Sequence, residues 1–219
     1  MTAAPATDCA LCPRLVQFRQ QNQSAWPDWH NAPVPSFGLL DARILCVGLA
    51  PGLKGANRTG RPFTGDYAGD LLYPSLKKVG LARGDYGASP DDGFELQDVR
   101  ISNAVRCVPP ANKPLPVEFA ACRPFLLQEI GQMPNLRGLF AIGRDAHQAI
   151  LGVLDLRKSA YPFSHGAIHH LPDGLLLADS YHCSRYNTNT GRLTEAMFLQ
   201  ALTTLLDAIN GHQATDLDR

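Results

Sequence analysis

Four of the six cysteines fall into two pairs. Cys9 and Cys12 form a C-x-x-C near the start of the chain, and Cys107 and Cys122 are separated by fourteen residues. Four thiolates can hold zinc or a [4Fe–4S] cluster. Zinc ribbons usually repeat C-x-x-C, whereas the second pair here is much wider, and unrelated buried thiols are a third possibility. Cys46 lies inside an apolar run and reads as core. A second segment able to do chemistry is GLAPGLKGANRTGRPFTGD, from Gly48 to Asp66, with five glycines in nineteen residues. Glycine lets the backbone close round a ligand. The lysine and hydroxyl of a P-loop and the G-x-G-x-x-G of a dinucleotide site are both missing, so a ligand loop and a plain surface loop both fit. The third segment is HCSRYNTNTGRLT, from His182 to Thr194. Its His182, Ser184, Arg185, Asn187, Thr188, Asn189 and Arg192 offer donors for phosphate oxygens or a base edge, just ahead of a helix amino terminus. A solvated polar loop is the alternative.

These segments need a scaffold. Arg43 to Leu49 is a short β-branched and apolar run that ends in a Pro/Gly-rich stretch, as a buried parallel strand does. Val99 to Val105, Leu139 to Gly143 and Leu175 to Ala178 read as three more strands. Between them, Ala68 to Val79 places Leu71, Leu72, Leu76 and Val79 on one helical face despite Pro74. Val117 to Met133 and a segment starting near Asp145 are the next helices, and a last amphipathic helix carries Leu193, Met197, Ala201, Leu205 and Ile209. A short helix is expected around Leu15 to Gln20, followed by a long loop over residues 21–37. Strands alternating with helices at this spacing predict an α/β fold with a mostly parallel four-stranded sheet. Such sheets bind ligands beyond the carboxyl ends of their strands, which is where the second and third segments fall.

The 219 residues suit one domain, expected over 1–211 with 212–219 as a flexible tail. Apolar residues are 45% and charged residues 18%, which excludes the low-hydrophobicity disordered class. Twenty basic residues balance twenty acidic ones, so binding to a polyanion must be local rather than driven by net charge. No run of about 18 apolar residues occurs, and the amino terminus lacks a basic segment followed by an apolar one. The expectation is a cytoplasmic protein with no membrane partner, in a reducing compartment where paired cysteines serve metals more often than disulfides.

Taken together, these motifs resemble the uracil-DNA glycosylase superfamily, whose first motif has the form G-x-x-P-G or G-x-x-P-A after the first strand and whose second begins with histidine after the last strand. GANRTGRPFTGD, SNAVRCVPPANKP with the third cysteine, and NTGRLT after the histidine are similar to family 5, the type B iron–sulfur branch. The resemblance runs from Cys9 to about Ile209. It implies a three-layer α/β/α sandwich and a [4Fe–4S] cluster on Cys9, Cys12, Cys107 and Cys122, making the amino-terminal segment cluster-binding. Two departures stand out. His182-Cys183-Ser184 replaces the family's His-Pro-Ser, which would loosen the loop and add a thiol near the site. Leu49 and Ala50 occupy places where other branches carry a carboxylate or asparagine, and that absence is itself like family 5.

The resemblance also implies roles. His182 would hydrogen-bond the departing base and Phe63 would stack on it. Asn103 would read its polar edge, with Ala50 and Gly52 beside it. Asp66 would orient water or face the sugar cation, although an N-cap role is equally physical. Arg58, Ser184, Arg185, Asn187 and Arg192 would hold phosphates flanking a flipped nucleotide. No lysine is placed to attack the sugar. The expected protein is thus a monomeric, monofunctional glycosylase. It would remove uracil, hypoxanthine and xanthine from double- or single-stranded DNA in base excision repair, leaving an abasic site. An iron–sulfur nucleic-acid-binding or redox protein without catalysis is the alternative.

Overall fold

A computed structural model of the protein describes residues 4–217, with side chains for 4–211. In chain order the elements are α1 (Pro13–Ala25), β1 (Ile44–Gly48), α2 (Ala56–Thr59), α3 (Tyr67–Lys78), β2 (Ala82–Arg83), β3 (Glu95–Leu96), β4 (Val99–Asn103), α4 (Pro116–Gly131), β5 (Gly138–Ile142), α5 (Arg144–Val153), β6 (Ile168–His170), β7 (Leu176–Ser180), α6 (Arg185–Asn189) and α7 (Glu195–Leu217). The main sheet has five strands in the order β4-β1-β5-β7-β6. The first four are mutually parallel, and β6 lies antiparallel to β7 at the edge.

The four buried strands are short apolar runs because helices cover both of their faces. Alternate side chains feed two cores. Ile44, Cys46, Phe140, Ile142 and Ala178 pack with Leu72, Leu76, Phe198, Leu202 and Leu205 of α3 and α7. Leu45, Val47, Leu139, Ala141 and Leu177 pack with Leu126 of α4 and Ala146, Ile150 and Leu151 of α5. The result is the expected three-layer sandwich.

Two differences from the sequence reading have physical causes. The sheet has five strands rather than four, because β6 is three residues long and contains two histidines, so no apolar alternation marks it. It pairs with β7 through the backbone, and the flanking Asp179 is buried, with one oxygen 2.6 Å from His147 Nδ1 and the other 3.0 Å from His169 Nε2 of the strand. Helix α1 continues to Ala25 through a polar QQNQS stretch that carries no hydrophobic period, stopping just before Pro27. At the other end, α7 runs to Leu217, and residues 218–219 lie outside the described residues.

Candidate active site

The strand order reverses next to β1, and the carboxyl ends of β1, β4, β5 and β7 surround a cavity of about 400 Å3. The segment after β1 supplies Leu49, Ala50, Pro51 and Gly52 to its wall. Phe63 is buried and sits with φ +53, a left-handed conformation that costs energy in an aromatic residue and is held only by its surroundings. Its carbonyl accepts from the Tyr86 hydroxyl at 3.3 Å. At the end of β1, Gly48 has a distinct duty: a Cβ there would overlap the Phe63 ring and lie 2.5 Å from Asn103 Oδ1. Absence of that carbon allows ring and amide to meet at the cavity floor.

Asp66 is the N-cap of α3, with Oδ1 accepting from Ala68 N at 3.2 Å. Burial raises its pKa, and the Ala68 and Gly69 amides oppose that rise. Its other oxygen, Oδ2, faces the glycine loop, where a Cβ at Gly52 would stand 2.8 Å away. Capping and lining the cavity are therefore compatible, since each uses a different oxygen.

His182 follows β7, with its ring centroid 6.4 Å from that of Phe63. Burial lowers its pKa, with Asp145 acting the other way, so the ring is neutral near pH 7. Its loop is not slack. Ser184 caps α6 by accepting from Asn187 N at 3.4 Å, and Asn187 Nδ2 donates to His182 O at 2.8 Å. The Cys183 side chain packs in the core and is fully buried. The added thiol is thus removed from the cavity.

Of the sequence-selected residues, Ala50, Gly52, Phe63, Asp66, Asn103, His182, Ser184 and Arg185 line the cavity together. Three do not. Asn187 braces the loop, Arg58 is exposed on the last turn of α2, and Arg192 places its guanidinium 4.6 Å from the Tyr181 ring centroid. Arg185 lies 5.3 Å from the centroid of Tyr67, another lining residue. The structure adds Asn112 to the lining. It follows Ala111 in a turn where both residues have positive φ, +55 and +54. An asparagine in a proline-flanked turn looks like ordinary turn chemistry, which hid it in the sequence.

The four cysteines share a corner of the molecule next to this site. All four line one small void beside Leu15, Arg19 and Arg106, and Cys107 and Cys122 are buried there. Burial first, then the nearness of Cys122, pushes the thiols of Cys12 up to about 11 and Cys107 up to about 12. Arg19 reaches in, donating from Nη2 to Cys9 O at 2.9 Å and lying 3.8 Å from Cys107 Sγ through Nη1.

The fold and site together are those of an α/β protein with a doubly covered, mostly parallel sheet whose strand ends surround a cavity lined by an aromatic ring, a histidine, two carboxylates and two amides. The family model described as the uracil-DNA glycosylase superfamily matches residues 35–206. A type-5 uracil-DNA glycosylase of Thermus thermophilus is 50% identical over 202 residues, covering 90% of this chain and 91% of that protein. Those of Mycobacterium leprae and Pyrobaculum aerophilum are 41% and 40% identical, each covering 86% of its own length and at least 86% of this chain. A type-4 uracil-DNA glycosylase of Pyrobaculum aerophilum is more distant, at 35% over 151 residues. The chain belongs to the type-5 branch of the uracil-DNA glycosylase superfamily.

Proposed function

We propose that this protein is a monofunctional uracil-DNA glycosylase of base excision repair, a hydrolase of N-glycosyl bonds that also accepts hypoxanthine and xanthine. The observation that carries the reading is that a histidine, a buried carboxylate and an aromatic ring, His182, Asp66 and Phe63, line one cavity at the strand ends. The flipped base stacks on Phe63, with Asn103 and Asn112 offering amides to its polar edge. As the C1′–N bond breaks, its electron pair leaves with the base. His182 donates a hydrogen bond to the oxygen where that charge collects, an interaction stronger in the transition state than before it. Water adds to C1′ and passes a proton to Asp66, completing hydrolysis. Leu49 and Ala50 add no charge on the sugar side, so the leaving-group contacts carry more of the catalysis. Arg185 and Ser184 at the rim, with Arg58, Asn187 and Arg192 farther out, hold the phosphate backbone of double- or single-stranded DNA.

Cys9, Cys12, Cys107 and Cys122 would hold a [4Fe–4S] cluster, which supplies a covalent staple between segments distant in sequence. The donor set fits: four soft sulfurs converge on one void with a guanidinium alongside. Among the described residues, His147, His169 and Asp179 form the group compact enough for a single ion, with ligand atoms within 4.8 Å of one another. No three of the cysteine sulfurs meet that distance.

Among the described residues no helix is long and apolar enough to cross a membrane, and a cytoplasmic monomer is the proposed form. Incubation of the protein with uracil-containing duplex tests the function, through release of free uracil and formation of an alkali-labile, unnicked abasic site.

A further inference from the structure

The two pairs of cysteines and the cavity are joined by a specific set of bonds. Arg14 is two residues beyond Cys12, in the first turn of α1. Its guanidinium forks onto Glu118, with Nε to Oε1 at 2.8 Å and Nη2 to Oε2 at 2.8 Å. The same Nη2 donates to the carbonyl of Lys113 at 2.9 Å. Glu118 is only 2% exposed, and its Oε2 also accepts from Leu115 N at 2.7 Å. Lys113 and Leu115 close the turn Pro109–Leu115, whose consecutive positive-φ residues Ala111 and Asn112 hold an amide at the cavity wall. A turn with two left-handed non-glycine residues persists only where its surroundings fix it: backbone bonds from Asn112 N to Pro109 O and from Lys113 N to Pro110 O close it, and Arg14 and Glu118 hold its far end at Lys113 O and Leu115 N.

We propose that Arg14 is a positioning residue: it ties the cysteine-bearing amino-terminal segment to the Pro109–Leu115 turn and so sets Asn112 against the base. This rests on the reading of the cavity as the base site. It gives the cysteine corner a route to the reaction without any chemistry at the metal, because ordering Cys12 orders Arg14, and Arg14 orders the turn.

The test is a double-mutant cycle on the iron-loaded protein, measured as single-turnover cleavage of uracil-containing DNA, with amide hydrogen exchange over residues 109–118 as a second readout. Arg14→Gln should keep its iron and sulfide, speed exchange in the turn, and slow cleavage on the order of 10–100-fold, the usual consequence of a group displaced by about 1 Å. In an Asn112→Ala background the same change should cost less than about twofold, since residues acting as one unit are not additive. Arg14→Lys, which keeps the charge without the fork, should fall between wild type and Arg14→Gln in both readouts, and it carries the cycle if Arg14→Gln loses iron. Unchanged exchange in the turn, or full additivity with Asn112→Ala, would overturn the proposal. Wild-type cleavage by Asn112→Ala would overturn it differently, by removing Asn112 from the site while leaving His182 and Asp66 in place.

Discussion

In the proposed reaction His182 acts on the leaving group and Asp66 on the water. Removing the histidine should therefore lower the chemical step while leaving DNA affinity nearly intact. His182→Ala is expected to reduce single-turnover cleavage by about 10²–10³-fold, the usual worth of one oxyanion-type donor, with little change in Kd. Both groups also predict pH effects. Burial raises the Asp66 pKa, so cleavage falls as pH drops through that raised value, and Asp66→Asn should abolish this limb of the profile. For His182 the folded pKa is lowered by burial, so the folded state binds fewer protons than the unfolded chain below about 6.5. Its contribution to stability is accordingly lost as pH falls from that value toward the folded one. The drop in Tm between pH 7.5 and 5 should be smaller in His182→Gln. His182, Asp66 and Phe63 were legible in the sequence because they sit in motifs after strands. Asn112 was not, since a turn-forming asparagine and a ligand-facing one look alike until the fold places the turn.

At the scale of elements, buried strands were the easiest to read. Every residue of β1 is buried, and a run such as ILCVG has no other stable place than between two layers of helices. Strand β6 escaped because it is only three residues long and two of them are histidines, one of which pairs with Asp179 ten positions away, so no apolar alternation marks it. The polar half of α1 escaped for a similar reason: it buries Arg19 and Asn22 rather than leucines. The proposed cluster would act at the scale of elements, joining the segment before α1, the segment after β4, and α4. Substituting Cys107 or Cys122 by Ala should remove iron and sulfide and lower Tm, because the three segments lose their common anchor. Stoichiometric zinc in place of iron after anaerobic purification would contradict that assignment. Gly48→Ala tests the floor of the cavity, since the added carbon meets both Phe63 and Asn103. Cleavage should fall sharply while the iron content stays at the wild-type level.

At the scale of the whole molecule, a neutral protein acts on a polyanion through a local site: a cavity of about 400 Å3 with arginines around it. Counterion release then involves few phosphates, and the salt dependence of binding should be shallow. In the proposed reading the apolar first motif and stacking on Phe63 set substrate range, because stacking suits any flat base. Uracil and hypoxanthine should both be excised, with cytosine and adenine spared as poorer leaving groups, and Asp66→Ala should slow both reactions together. The central claim is that this cavity cleaves rather than only binds. Its most direct test is a single-turnover assay at enzyme excess on duplex DNA with one uracil. The predicted result is stoichiometric free uracil and an abasic strand that breaks only on alkali treatment. Tight binding of that duplex by iron-loaded protein with no uracil released would contradict it.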